Sequence, residues 1–130
     1  MIRLVRQTVQ RKALRQVMVD AGRPLSASEI LEAAGRLVRG IGIATVYRNL
    51  KTMLDEGHVA AVDLPGAPGR FEIAGKEHHH HFHCEACNQV FEVDACVKGI
   101  DGMTPPGFEL DRHEVVLYGR CPDCRCGAGN

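Results

Sequence analysis

The sequence predicts an α+β fold in two parts, on three observations. Apolar residues recur at helical spacing through three short segments before residue 57, and strand-like pieces take over after it. Two C-x-x-C pairs, Cys84/Cys87 and Cys121/Cys124, stand a few dozen residues apart in the second part; that is a strong zinc signature, since each pair puts two thiolates on a tight turn and together they complete a tetrahedral sulfur shell. Charge divides the same way. Residues 1–60 carry ten Lys/Arg against five Asp/Glu, and residues 61–130 carry six against eleven. A basic helical half joined to an acidic, ligand-rich half suits nucleic acid at one end and cations at the other. The parts are set at residues 1–75 and 76–130.

In the first part, Val9, Ala13, Leu14, Val17 and Met18 form one helical stripe, with Arg6, Arg11, Lys12 and Arg15 on other faces. Ala21-Gly22-Arg23-Pro24 ends this helix, because glycine suits the C-cap and proline cannot continue it. Ser26-Ala27-Ser28-Glu29 reads as a capping box for a second helix with Ile30, Leu31 and Ala34 inward. Gly40-Ile41-Gly42 breaks the chain again. A third helix follows over Ala44–Leu54, its apolar stripe made by Val46, Leu50, Met53 and Leu54. Thr45, Tyr47, Arg48, Asn49 and Lys51 are expected to be exposed near its start. That is the layout of a helix-turn-helix, whose third helix enters the major groove by its N-terminal residues. Val59–Asp63 and Arg70–Ile73 flank Leu64-Pro65-Gly66-Ala67-Pro68-Gly69, a hairpin with a Pro/Gly-rich tip that reads as the wing of a winged helix.

In the second part, Glu77–His83 reads as an extended strand leading into the first cysteine turn. Successive side chains of a strand alternate faces, so His78 and His80 share one side while His79 and His81 share the other. One short strand thereby supplies two metal sites. Val90–Val93 returns from the turn as a second strand. Cys96–Met103 is expected to form a short helix, and Phe108–Asp111 with His113–Tyr118 a third strand region. Cys96 and Cys126 read as free thiols, since zinc needs only four partners. His58, beside the helix-ending Gly57, reads as a cap or surface residue, and His83 as a surface residue or spare ligand.

No apolar run reaches membrane-spanning length and no secretory signal is evident, so a cytoplasmic location is expected, with the six cysteines serving as ligands or thiols before disulfides. A zinc hydrolase needs an open metal position and a general base; Glu72 or Glu92 could serve, but no H-E-x-x-H helix or comparable motif is present, and an enzyme is not expected. A metal-storage module would explain the histidines but not the basic helix-turn-helix.

Several ordered motifs resemble the ferric uptake regulator family of metal-dependent DNA-binding repressors over nearly the full length. They are Ile43-Ala44-Thr45-Val46-Tyr47-Arg48-Asn49-Leu50, Arg70-Phe71-Glu72-Ile73, His78 through Cys87, Phe91-Glu92, and His113 through Cys121. The resemblance implies a winged-helix DNA-binding domain followed by a small α/β dimerisation domain, acting as a homodimer on an inverted-repeat operator in double-stranded DNA. It implies that Cys84, Cys87, Cys121 and Cys124 hold a structural Zn²⁺, and that Glu72, His79, His81 and Glu92 form a regulatory site for Zn²⁺, Fe²⁺ or Mn²⁺. A further site is implied at His78, His80 and His113, with Asp101, Asp94 or Cys96 as candidates for a glutamate the family places there; Asp101 is taken first. Arg11, Thr45, Tyr47 and Arg48 are the expected DNA contacts. Two positions depart from the family pattern. Pro24 stands where many members have a ligating histidine, and His80 where the second site usually has an aspartate.

Overall fold

The computed structural model describes residues 2–66 and 69–124, with side chains from Val5 onward. The chain divides into two compact units, Met1–Lys76 and Glu77–Asn130. Cys126 lies outside the described residues, as do Ala67 and Pro68 at the tip of the hairpin.

The first unit packs three helices, α1 (Ile2–Ala21), α2 (Ala27–Ala34) and α3 (Ile43–Asp55), with an antiparallel pair, β1 (Val59–Val62) and β2 (Arg70–Ile73). Its core joins Leu14, Val17 and Met18 of α1 to Ile30 and Ala34 of α2, Val46, Leu50 and Met53 of α3, and Val59 of β1. Val9, on the same stripe of α1, is exposed. The capping box of α2 is complete. Ser26 Oγ accepts the Glu29 amide at 3.2 Å and Glu29 Oε1 accepts the Ser26 amide at 3.0 Å. Arg23 adds an ion pair to Glu29 at 2.8 Å. Burial alone would raise the Glu29 carboxyl, but the Ser26 amide and the Arg23 guanidinium outweigh it and hold the group below its ordinary value. Gly57, at φ 77°, supplies the left-handed turn that carries α3 into β1. Leu25 and Phe71 exchange backbone hydrogen bonds of 2.9 and 2.8 Å, which ties the hairpin to the entry of α2.

In the second unit, β3 (His80–Cys84) lies between β4 (Val90–Val93), antiparallel, and β5 (Val116–Gly119), parallel. The strand begins at His80, so His78 and His79 precede it. Of the expected Cys96–Met103 helix only a single 3₁₀ turn forms, Ile100–Met103, because Gly99 enters at φ 79° and leaves no helical backbone before it. Phe108–Asp111 is not a strand: β3 pairs with β4 and β5, and this segment joins no ladder. Leu117 of β5 pairs with Phe82, and a Cβ on Gly119 would lie 3.0 Å from the Phe82 ring. The fully or nearly buried groups of this unit are Cys84, Val90, Cys121, His80 and His83. With so few apolar side chains enclosed, the candidate ligands are much of the core, as expected for a small unit that needs a staple. Among the described residues no helix is long and apolar enough to cross a membrane.

Candidate metal centres and nucleic-acid interface

The first cysteine pair sits on the turn between β3 and β4, closed by an Asn88 amide to Cys84 carbonyl bond of 2.8 Å and by Asn88 itself at φ 65°. Asparagine tolerates that left-handed conformation better than most residues. The second pair follows β5, which the parallel ladder delivers beside the end of β3 through the Cys84–Gly119 register. The four sulfurs of Cys84, Cys87, Cys121 and Cys124 then lie within 4.8 Å of one another. Cys87 and Cys121 are 3.9 Å apart, close to the roughly 3.8 Å edge of a tetrahedron with 2.3 Å zinc–sulfur bonds and far beyond a disulfide. The amides of Cys87 and Cys121 both donate to Cys84 Sγ at 3.4 Å and bring its pKa down to about 6. Hydrogen bonding to Cys121, Cys84 and Cys87 pushes Cys124 up to about 12, while burial raises Cys87. The quartet thus holds a thiolate before any metal arrives and resists holding more, a charge problem that a divalent cation removes. The donor set fits zinc.

The histidine run divides by parity. His79 and His81 have ring centroids 4.9 Å apart, and His78 and His80 4.5 Å apart. His79 Nδ1–H donates to the Glu77 carbonyl at 2.8 Å, which fixes the tautomer and puts the ring's acceptor lone pair on Nε2, the usual way a ligating imidazole is oriented. Glu92 pairs with His81 across the β3–β4 ladder. Glu72 lies on β2 of the first unit, opposite Ala60.

His78, His80 and His113 meet on the other side of the strand, and the fourth group with them is Cys96. Asp101 sits in the exposed 3₁₀ turn and is not part of this group. The ladder register places Cys96: His80 pairs with Val93, and three further residues bring the chain back to the same imidazole. His80 is buried, and burial together with the neighbouring imidazoles holds its pKa below the ordinary histidine value. The Val115 amide donates to its Nδ1 at 3.0 Å. His83 is also buried, with Nε2 3.0 Å from Asn88 Oδ1, and belongs to no ligand group among the described residues. His58 is exposed, 3.6 Å from Glu56.

In the first unit, α3 opens on Gly42 with no side-chain cap, leaving its leading amides unclaimed by a side chain. Tyr47 is 55% exposed. Arg48 is exposed and donates to Thr45 Oγ1 at 3.0 Å, so the two expected DNA contacts are held as a pair on one face. Arg11 is half-exposed and 3.6 Å from Glu56. Asn49, expected outward, is instead buried, its amide donating to the Thr45 carbonyl at 2.9 Å. It lies one turn from Thr45 on the inward side of the helix, where that carbonyl supplies its partner.

Residues 3–118 match the model of the Ferric uptake regulator family. The peroxide operon regulator of Bacillus subtilis (strain 168) is 30% identical over 125 residues, covering 92% of this chain and 84% of that protein. A ferric uptake regulation protein of Staphylococcus aureus (strain N315) is 30% identical over 122 residues, covering 93% and 89%. Among solved structures, the Helicobacter pylori ferric uptake regulator Fur, described as having three functional metal binding sites, superposes with a TM-score of 0.69 at 26% identity, covering 89% of this chain and 79% of that one. A zinc-bound manganese uptake regulator superposes at 0.73 with 26% identity, covering 86% and 87%.

Proposed function

The chain belongs to the ferric uptake regulator family of metal-responsive transcriptional regulators, and from that premise we propose that it is a repressor that binds an inverted-repeat operator as a homodimer when loaded with a divalent metal. The observation that carries this reading is the sorting of four adjacent histidines into two separate ring pairs, one of them already oriented through Glu77. Cys84, Cys87, Cys121 and Cys124 hold a structural zinc that completes the second unit. Glu72 from the first unit shares one regulatory ion with His79, His81 and Glu92 from the second, and the sharing fixes the angle between units. In a dimer that angle sets the distance between two recognition helices, which must match about one turn of DNA, 34–36 Å. Without the shared ion the ordering cost falls on DNA binding, and the linkage is worth about 1–3 kcal/mol, or some 5–150-fold in affinity. Mixed imidazole and carboxylate donors suit Zn²⁺, Fe²⁺ and Mn²⁺ alike at this site.

The test compares two multiple variants. Replacing His79 and His81 by Ala leaves a folded, zinc-containing protein whose operator affinity hardly responds to added metal. Replacing His78, His80 and His113 has the smaller effect on that response. Operator affinity is measured by fluorescence anisotropy with and without Zn²⁺, Fe²⁺ or Mn²⁺. A larger loss in the second variant moves the switch to the other ring pair.

A further inference from the structure

Three imidazoles and one thiol converge on the face of β3 that carries His80. Cys96 Sγ is 3.2 Å from His113 Nε2, 3.3 Å from His80 Nε2 and 3.6 Å from His78 Nε2; His78 Nε2 and His113 Nε2 are 3.2 Å apart. A tetrahedral zinc with bonds of 2.0–2.1 Å to nitrogen and 2.3 Å to sulfur has nitrogen–nitrogen edges of about 3.3 Å and sulfur–nitrogen edges of about 3.5 Å. The four donor atoms already have the spacing of one coordination shell. Neither carboxylate expected here, Asp101 or Asp94, is part of the group.

We propose that Cys96 is a ligand, and that His78, His80, Cys96 and His113 form a closed His₃Cys site that selects zinc over manganese. The inference goes beyond the regulatory reading and does not depend on operator binding. Three features of the site support it. The donor set is three borderline imidazoles and one soft thiolate, which suits zinc, whereas manganese prefers carboxylate, carbonyl and water oxygens. Four protein donors fill a tetrahedron and leave no open position for a water-rich octahedral ion. Cys96 has no disulfide partner and sits exposed at the rim, so the ion can enter without opening the core. Binding through His80 Nε2 moves that ring's proton to Nδ1 and costs the hydrogen bond from the Val115 amide. That single bond is small beside the free energy of a four-ligand zinc site.

The experiment uses purified full-length protein in which the Cys₄ zinc is left in place and only labile metal is removed, with Co²⁺ as the probe. In the wild type, cobalt produces a near-ultraviolet sulfur-to-cobalt charge-transfer band and the intense visible bands of a tetrahedral ion. Zinc displaces it stoichiometrically, and manganese in large excess does not. Cys96→Ser abolishes the charge-transfer band and weakens cobalt binding by at least about tenfold, since losing an outer-shell partner alone costs 10–100-fold. Cys96→Asp restores an anionic ligand, so it binds metal without the band and loses the preference against manganese. Cobalt bound to the wild type with no sulfur band, or a band that survives in Cys96→Ser, overturns the proposal. So does an Asp101→Ala protein that loses the metal. Because operator DNA enters none of these readouts, failure of the repressor reading leaves the result intact.

Discussion

At the scale of single residues, the two kinds of chemistry are already separable. Tyr47 and Arg48 stand exposed early on α3. Tyr47→Ala is expected to relax specificity at its contacted base pair by roughly 1–3 kcal/mol. Arg48→Ala is expected to weaken binding and lower the slope of log affinity against log salt by about one if it meets phosphate. Anisotropy titrations over a salt series on matched and mismatched operators check both, with zinc content unchanged. In the metal-free Cys₄ quartet, Cys84 titrates at about 6 while Cys87 and Cys124 lie above the ordinary thiol value, so zinc loading near pH 7 should release at least two protons. Calorimetry in buffers of different ionisation enthalpy counts them. The sign follows directly. Zinc affinity falls as pH falls, and the depressed Cys84 pKa contributes stability that is complete above pH 9.0 and lost as pH drops through about 6. The pairing of histidines was legible because successive side chains alternate faces along a strand, and the rings keep that parity although His78 and His79 precede β3. Cys96 was not, because its place depends on how the chain returns after β4, and a count of four zinc ligands made it look surplus. Asn49 was misread as outward because it is polar, although a helix carbonyl one turn away supplied the partner its burial requires.

At the scale of elements, local signals carried most of the first unit. The Ser26–Glu29 box, the Gly57 stop and the α3 stripe all act within a few residues, and each formed where the residues called for it. Ser26→Ala should therefore destabilise the N-terminal unit by about 0.5–2 kcal/mol, read as a lower urea midpoint with unchanged slope. Glu29 would then lose one of the contacts that hold its carboxyl low. The second unit was less legible for the same physical reason turned round. Its third strand is decided by a non-local, parallel partner, and Phe108–Asp111 has strand-like composition but pairs with no strand. Composition describes what a segment tolerates, whereas a ladder needs a partner.

At the scale of the whole molecule, the charge asymmetry becomes a division of labour between a cationic helical unit and an anionic, ligand-rich one. Cys84 and Cys121 belong to the proposed zinc site and are also two of the few enclosed side chains of the second unit. Cys84→Ser should for that reason abolish bound zinc, unfold the C-terminal unit and break the proposed dimer, while α1–α3 persist. Metal analysis, sedimentation and far-ultraviolet circular dichroism would separate these effects, and a zinc-free Cys84→Ser dimer of wild-type stability would remove the claim.

The parallel seat of β5 also dictates an order of assembly. The β3–β4 hairpin closes over a short turn and can form within microseconds, but β5 must travel back across some thirty residues to reach the far edge of β3. Its arrival brings Cys121 to Cys84, so the same event that completes the sheet completes the thiolate quartet. On the proposed zinc reading, maturation of this unit is a race between an entropically slow closure and the supply of zinc, so free zinc concentration sets how fast the chain becomes competent, quite apart from how tightly it finally holds the ion.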